Sequence, residues 1–320
     1  MMPISAINVV INYGMTNILL SIVGPTAIGK TELSIKLAQH FNSEIISADS
    51  RQFYKEMEIG TAVPSNSELN AAEHNFIQHK SIHEDYNVGD FERDAITKLD
   101  DIYNTDDIAL MVGGSGLYVN AVTKGLDYFP EVNSDIREEL KYQFQHNGLA
   151  ILQQKLKALD LETYNSIAID NPQRVIRALE ICIGSGKPYS SFKTNKSKNR
   201  SFKTITIGLK AERQIIYDRI NKRVDIMIEN GLINEAKKLY PQRNLNALNT
   251  VGYKELFTYF DGETTLDMAI SEIKKNTRRF AKRQLTWFRK DDTIKWFDYQ
   301  TEIDQVIEYF EFAIKKIQPN

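Results

Sequence analysis

Two patterns of apolar positions alternate along this chain, and they predict strands and helices in turn. Asn17–Val23 (NILLSIV) is a short and almost wholly apolar run, which predicts a strand buried on both faces. Directly after it, Leu33, Leu37 and Phe41 recur at fourfold spacing, as one face of a helix does. A strand followed by a helix in this order predicts an α/β fold built on a parallel sheet.

Three further apolar runs extend the predicted sheet. They are Ser43–Ala48, Asp107–Val112 and Lys203–Lys210. Between the first two, Gly89–Tyr103 has the spacing of an amphipathic helix, with Asp90 as its N-terminal cap. None of the apolar runs is long enough to span a bilayer.

The stretch 129–202 has helical periodicity and interrupts the strand pattern. We therefore predict a mostly helical insertion domain at 129–202, within a core formed by 17–128 and 203–317. Residues 1–16 are interpreted as an N-terminal extension. From Glu212 onward the chain is predicted to be largely helical, with Gly231 ending one helix.

Composition narrows the class of protein. The chain has 320 residues and a net charge of −2, so any nucleic-acid surface must be local. A single cysteine, Cys182, excludes an internal disulfide framework and a cysteine-based zinc site, and fits a reduced, cytoplasmic compartment. Cys182 lies in an apolar stripe and is predicted to be buried.

Gly24–Thr31 (GPTAIGKT) lies between the first strand and the first helix and has the spacing of a P-loop. In such a loop the backbone N–H groups surround a phosphate chain, Lys30 reaches over it, and the Thr31 hydroxyl binds Mg²⁺. The start of the helix adds its unpaired N–H groups and its dipole. The predicted phosphate-binding residues are Gly24, Pro25, Thr26, Ala27, Ile28, Gly29, Lys30 and Thr31.

The acid that usually accompanies a P-loop is missing from its usual place. Nucleotide-hydrolysing enzymes end another apolar strand in an Asp that holds Mg²⁺, whereas Asp107–Val112 is followed by glycines and Ser115. Asp49 instead follows the second strand. Because ligands bind beyond the carboxyl ends of parallel strands, we expect Asp49, Ser115 and the P-loop to face one crevice. Three roles are open to Asp49: a cap, a general base or a Mg²⁺ ligand.

Lys274–Lys290 carries eight cations and no acid. Its basic pairs recur every four residues, which places positive charge along one side of a helix, and Phe280, Trp287 and Phe288 are interleaved with them. Such a stripe suits a phosphate backbone. The alternative is a solvated helix face whose aromatic residues belong to the core.

Nine motifs extend this pattern and stand in the order found in tRNA dimethylallyltransferases, which the chain resembles from about Ile18 to Arg289. They are GPTAIGKT (24–31), DSRQFY (49–54), IGTAVP (59–64), YNVGDFERDA (86–95), GGSGLY (113–118), NPQRVIRALEI (171–181), RVDIMIENGL (223–232), VGYKE (251–255) and AKRQLTWFR (281–289). The resemblance is to the bacterial type, because the chain lacks the cysteines of an appended zinc finger.

The resemblance implies transfer of a dimethylallyl group from its diphosphate to the exocyclic amine of the adenosine at tRNA position 37, next to the anticodon. Diphosphate is released. The implied partners are dimethylallyl diphosphate and the tRNA anticodon stem-loop, with Mg²⁺ as the cofactor and the protein as a monomer. The amine is a poor nucleophile, so the enzyme needs an activated electrophile and an acceptor for the proton. The charge on the departing diphosphate must also be stabilised.

The resemblance also implies roles for individual residues. Asp49 matches the carboxylate that accepts the amine proton, and Arg223 matches an arginine directed at the diphosphate. Ser115 stands where the family usually has threonine. The implied tRNA contacts, beside Asp49 and Ser115, are Ser50, Arg51 and Gln52 around the flipped adenine, Arg137, Gln173, Arg174, Val175, Ile176 and Arg177 in the insertion, and Lys282, Arg283, Gln284, Arg289 and the segment 249–254 in the core.

Two departures from the family pattern are visible. Ile28 replaces a common serine in the P-loop, which is a small change because the loop binds through backbone amides. The segment Asn75–Tyr86 lacks the family's regular pattern and receives no role. Its His79 and His83 have the i, i+4 spacing of a metal pair, but no third ligand is identifiable.

Three other functions share part of this pattern. A P-loop kinase of small metabolites has the first fifty residues but needs lid arginines and no basic C-terminal helix. A prenyltransferase acting on free AMP needs neither that helix nor the insertion. A non-catalytic RNA-binding protein leaves the P-loop and Asp49 without a role.

Overall fold

The computed structural model describes residues 16–194 and 198–317. It shows an α/β fold, in which a β-sheet has helices on both faces. Within these ranges the sheet has six parallel strands in the order β3-β2-β4-β1-β5-β6. The predicted fold class is confirmed. Residues 1–15, most of the predicted extension, lie outside the described residues. The strands are β1 (Asn17–Val23), β2 (Ile45–Ser47), β3 (His74–Asn75), β4 (Ile108–Gly113), β5 (Phe202–Lys210) and β6 (Lys295–Asp298).

The central strands are buried on both faces because their side chains alternate between two cores. Ile18, Leu20 and Ile22 of β1 point into one core, while Leu19 and Val23 point into the other. These strands follow the predicted runs closely. β3 and β6 were not predicted, because two and four partly buried residues at the sheet edges carry too little pattern.

The chain divides into two compact units within its described residues. The larger one runs to Lys124 and resumes at Asn199, and it contains the sheet. Its helices are α1 (Lys30–Phe41), α2 (Asn66–Ala71), α3 (Val88–Ile102), α4 (Gly116–Lys124), α9 (Arg213–Glu229), α10 (Leu232–Leu239), α11 (Tyr253–Phe260), α12 (Leu266–Phe288) and α13 (Ile303–Ile317).

The start of α3 corrects one prediction. Asn87, not Asp90, is the N-cap: its side chain accepts hydrogen bonds from the N–H groups of Gly89 and Asp90. Asp90 is the third helical residue and accepts from the N–H of Asn87 at 2.9 Å, which completes a capping box. Asp90 therefore belongs to the helix start, but as the reciprocal partner of the cap.

The smaller unit is Gly125–Lys198, which begins and ends four residues before the predicted range 129–202. The regular structure of its described residues is helical. Its core includes Leu140, Leu152, Leu179 and the buried Cys182. Its helices are α5 (Ser134–Asn147), α6 (Leu149–Leu159), α7 (Leu161–Ser166) and α8 (Pro172–Ser185).

Among the described residues, no helix has both the length and the apolar character needed to cross a membrane.

Candidate active site

The P-loop connects β1 to α1 and has the backbone of a phosphate cradle. Ala27 and Gly29 both adopt positive φ, 63° and 107°, and no side chain caps the first turn of α1. The N–H groups at that end are therefore directed at the space in front of the loop. Ile28 is 1% exposed and packs on Leu209 and Ile216, which explains how an apolar residue is accommodated at this position.

Two partly buried cations contact this loop. Lys30 Nζ donates to the carbonyl oxygen of Pro25 at 2.8 Å, and Arg223 from α9 donates to Thr26 Oγ1 at 3.2 Å. Burial lowers the pKa of Lys30 to about 8, an effect that the carboxylate of Asp49 opposes and the charge of Arg223 reinforces. Burial also lowers the pKa of Arg223. An anion bound beside them would stabilise the charged forms of both groups.

Asp49 and Ser115 follow the carboxyl ends of β2 and β4, which are paired strands of the sheet. Asp49 Oδ1 accepts from the N–H of Arg51 at 3.1 Å, so the carboxylate stabilises the turn that follows β2. Ser115 Oγ accepts from the N–H of Ser50 at 3.3 Å and lies 3.3 Å from the Ser50 hydroxyl. The two strand ends are thereby joined. No helix begins directly after Asp49, so its capping role is that of a turn.

A cavity of about 560 Å³ opens in front of these groups. Thr26, Asp49, Ser115 and Arg223 line it together, as the expected crevice requires. Other predicted residues in its wall are Ser50, Arg51, Arg283, Asn249, Thr250, Val251, Gly252 and Lys254. The volume is within the range of small-molecule sites.

One wall of the cavity is held by a carboxylate that the sequence analysis did not identify. Glu235 of α10 accepts hydrogen bonds from three successive backbone N–H groups, those of Glu58, Ile59 and Gly60, at 3.1, 2.8 and 2.9 Å. Tyr253 Oη donates to it as well, at 2.6 Å. A Cβ on Gly60 would lie 2.6 Å from the Tyr253 ring, so only glycine fits there. The quoted motifs IGTAVP and VGYKE contained three of these partners, Ile59, Gly60 and Tyr253, but not Glu235.

Two residues expected at the flipped adenine are engaged by the protein itself. Gln52 Nε2 donates to the carbonyl of Ala62 at 2.9 Å, and Ser47 Oγ donates to its Oε1 at 3.3 Å. Gln52 therefore supports the wall instead of facing the cavity. Arg51 lines the cavity but donates to the carbonyl of Ala247 at 3.0 Å, which fixes its guanidinium.

The basic residues of α12 divide into two groups. Toward its middle the cations have protein partners: Lys274 pairs with Asp225, Lys275 with Glu272, and Arg278 and Arg279 donate to the side chains of Asn221 and Asn276. At its C-terminal end Lys282, Arg289 and Lys290 are exposed and have no acidic partner within 16–194 and 198–317. Arg283 lies over the ring of Phe280, 5.7 Å from its centre.

The aromatic residues of the same segment also divide. Phe288 is buried in the core, as the alternative interpretation expected. Phe280 and Trp287 are 36% and 38% exposed, and Phe280 lines the cavity. Trp287 packs on Gly116, where a Cβ would lie 2.2 Å from the ring.

Gln284 does not fit the tRNA contact expected of it. Its side chain is 5% exposed, accepts from the N–H of Thr26 at 2.8 Å, and donates to the carbonyl of Gly114 at 2.9 Å. Both ends of its amide are thus bound inside the core.

In the helical unit, the expected RNA contacts are divided by burial. Gln173 and Arg174 are exposed at the start of α8, while Val175 and Ile176 are 0% and 2% exposed in the unit's core. The side chains of Val175 and Ile176 are enclosed because an amphipathic helix buries its apolar face. The tRNA contacts of this segment stay a prediction. Arg137 and Arg177 both pair with Glu180 at 3.1 Å, which offsets part of their charge.

The two histidines at i, i+4 spacing lie in different environments. His79 lies edge-on among the rings of Phe53, Phe76 and Tyr86, and burial lowers its pKa to about 4. His83 is exposed. In the part of the chain that the structure describes, no group of three or more His, Cys, Asp or Glu side chains could hold a metal ion.

These features define a class of protein: an α/β P-loop protein whose phosphate cradle opens into the same cavity as a strand-end carboxylate. Comparisons with known proteins identify the family within that class. Residues 52–291 match the family model described as IPP transferase. A tRNA dimethylallyltransferase of Christiangramia forsetii is 63% identical over 94% of this chain and 99% of that protein, and the chain belongs to the tRNA dimethylallyltransferase family.

The chain is also similar to solved structures of transferases that act on tRNA. The full-length tRNA isopentenylpyrophosphate transferase of Bacillus halodurans is 40% identical, with a TM-score of 0.69 over 93% of this chain and 97% of that one. A eukaryotic dimethylallyltransferase acting on tRNA is 24% identical, with a TM-score of 0.78 over 95% of this chain and 81% of that one. At that identity the second likeness concerns the fold alone.

Proposed function

We propose that this chain transfers a dimethylallyl group from dimethylallyl diphosphate to the exocyclic amine of the adenosine at tRNA position 37, releasing diphosphate. The observation that carries the proposal is the shared cavity, in which the P-loop residue Thr26, the carboxylate of Asp49 and the guanidinium of Arg223 meet. A phosphate cradle with no acid after β4 suits a diphosphate leaving group. The activity named for the C. forsetii relative supports this assignment.

The reaction forms one N–C bond and breaks one C–O bond. The amine nitrogen attacks the allylic carbon, and the electron pair of the breaking C–O bond leaves with the diphosphate. Lys30, Arg223 and the N–H groups at the start of α1 stabilise the charge that develops on the leaving oxygen. The proton lost by the amine passes to the carboxylate of Asp49, which the N–H of Arg51 holds in orientation.

Mg²⁺ suits this site as a partner of the diphosphate. Mg²⁺ is commonly held by one or two protein oxygens together with phosphate oxygens and water. The Thr31 hydroxyl at the start of α1 offers such an oxygen, and the lack of a larger acidic cluster among the described residues fits the same mode. When bound, the ion neutralises part of the diphosphate charge.

The acceptor is RNA because the protein combines a cavity large enough for an extruded base with exposed cations on α12. An adenosine in an anticodon loop is unpaired, so extruding it from the stack costs less than it would in a duplex. Ser50, Arg51 and Ser115 line the space that the base enters. Lys282, Arg283 and Arg289 are the core residues we assign to the RNA backbone, with Arg137, Gln173, Arg174 and Arg177 in the helical unit.

The assay that tests the function offers the purified protein dimethylallyl diphosphate or ATP as donor, with unmodified tRNA or AMP as acceptor. We expect diphosphate release and a dimethylallyl mass increase on one tRNA adenosine. Formation of ADP would indicate a kinase, and preferential modification of AMP would indicate a cytokinin-type prenyltransferase. Either result would refute the proposal.

Asp49→Asn tests the proton acceptor. We expect kcat to fall by about 10²–10⁴-fold with the dissociation constant for tRNA nearly unchanged, because the amide keeps the shape but is not a base. Asp101→Asn, which alters an exposed carboxylate on α3, is the matched control and should leave kcat unchanged. A normal kcat in Asp49→Asn would remove Asp49 from the mechanism.

A further inference from the structure

We infer that Gln284 is a positioning residue for the donor diphosphate. From helix α12, its side chain holds the beginning of the P-loop. This inference rests on the proposed function and adds a residue to it. The side chain extends from α12 to two different loops, those after β1 and β4. Its oxygen accepts from the N–H of Thr26 at 2.8 Å, and its nitrogen donates to the carbonyl of Gly114 at 2.9 Å.

The P-loop needs such supports because its backbone is strained. Ala27 has φ of 63°, a conformation that residues with a Cβ rarely adopt. The strained residue and the one before it are held from outside the loop: Arg219 of α9 donates to the carbonyl of Ala27 at 2.7 Å, and Arg223 donates to Thr26 Oγ1 at 3.2 Å. Gln284 adds the third support, from a different helix.

Gly114 leaves the space that the Gln284 side chain occupies. A Cβ built on Gly114 would lie 2.2 Å from Gln284 Nε2 and 3.3 Å from its Cδ. The amide therefore occupies the space that any other residue at 114 would need. This contact provides an independent way to displace Gln284 without changing α12.

The exposed neighbour of Gln284 has a different environment. Lys282 is two residues earlier, about 200° around the helix, and is exposed to solvent while Gln284 is buried. The two faces of one helical turn therefore have different surroundings: Lys282 can meet RNA, whereas Gln284 contacts the loops after β1 and β4. Loss of Gln284 should weaken donor binding and leave RNA binding intact.

The test measures binding of inorganic diphosphate with Mg²⁺, the Michaelis constant for dimethylallyl diphosphate, and the dissociation constant for tRNA. In Gln284→Met, which conserves volume and removes both hydrogen bonds, we expect the two donor constants to rise about tenfold. The tRNA constant should change less than twofold. Gly114→Ala should reproduce this result, because it displaces Gln284 from the opposite side.

Lys282→Met on the same helical turn is the matched control and should show the reverse: weaker tRNA binding with unchanged diphosphate binding. The inference is overturned if Gln284→Met or Gly114→Ala weakens tRNA binding while diphosphate binding stays normal. It is also overturned if neither variant changes diphosphate binding. Thermal unfolding of each variant establishes that it is folded.

Failure of the proposed function gives a different result. If the unmodified protein binds diphosphate but transfers no dimethylallyl group to tRNA, the proposed function fails. The inference about Gln284 would then still stand or fall on the diphosphate constants alone.

Discussion

Two sets of cations in the core of this protein differ in surroundings more than in chemistry. Lys30 and Arg223 are partly buried at the P-loop, are hydrogen-bonded to the loop itself, and have pKa values lowered by burial. Lys282 and Arg289 on α12 are exposed to solvent. We therefore expect the first set to bind an anion with little competition from water, and the second to gain mainly from the release of counterions by RNA.

The comparison predicts that the two sets respond differently to substitution, pH and salt. The P-loop set should make large contributions to use of the donor, and salt should hardly screen them. The α12 set should make small contributions to tRNA binding, which salt screens strongly. A third group, the paired cations nearer the middle of α12, should contribute least.

Within this comparison of cations, the largest effect is expected from Lys30→Met. In the proposed reaction Lys30 stabilises charge on the departing diphosphate, so we expect kcat/KM for dimethylallyl diphosphate to fall by about 10²–10³-fold. Steady-state kinetics at low and high salt measure the change, and the ratio to the unsubstituted protein should be nearly the same at both. A loss that disappears at high salt would place Lys30 in the same category as the surface cations.

The pH dependence is the next largest effect. The pKa of Lys30 is lowered to about 8, and only its charged form attracts the diphosphate. In the free enzyme, kcat/KM for the donor should therefore fall about tenfold per unit as pH rises beyond about 8, because that parameter reports ionisation in the free enzyme. Lys30→Met should lose this limb of the profile. If the limb persists in that variant, another group is responsible for it.

Removing Lys282 and Arg289 together should have a smaller effect, confined to RNA. We expect the Lys282→Ala/Arg289→Ala protein to bind tRNA about tenfold more weakly at moderate salt, with the slope of log affinity against log salt reduced by about one to two. Binding of inorganic diphosphate should not change. Filter binding over a salt series measures the slope, and an unchanged slope would contradict contact with phosphates.

The sequence predicted those parts of the molecule whose pattern is local. β1 and α1 are found where the periodicity placed them, and the P-loop between them needed only its spacing. Asp49 and Ser115 could be assigned to one crevice because the ends of parallel strands share an edge of the sheet. β3, of two residues, has no periodicity to detect.

The missed parts depend on contacts between distant residues. Glu235 holds the turn at Gly60 across 175 positions of sequence, and Gln284 holds Thr26 across 258. Glutamate and glutamine are mostly exposed to solvent in proteins, so the residue types alone do not indicate these contacts. A motif that resembles the family identifies the segment around Gln284 as RNA-binding, but it does not indicate which side of the helix each residue occupies.

The smallest effect is expected from Lys274→Met, and it tests whether the basic pattern of α12 is a single RNA-binding stripe. Lys274 pairs with Asp225 at 2.5 Å, so its charge is already offset within the protein. We expect tRNA affinity to change less than twofold and the salt slope to stay the same, since a partly exposed ion pair contributes little energy. Filter binding at two salt concentrations is sufficient. If Lys274→Met weakens tRNA binding as much as Lys282→Met does, the pair with Asp225 must open on RNA binding, and the division between paired and exposed cations on α12 would be wrong.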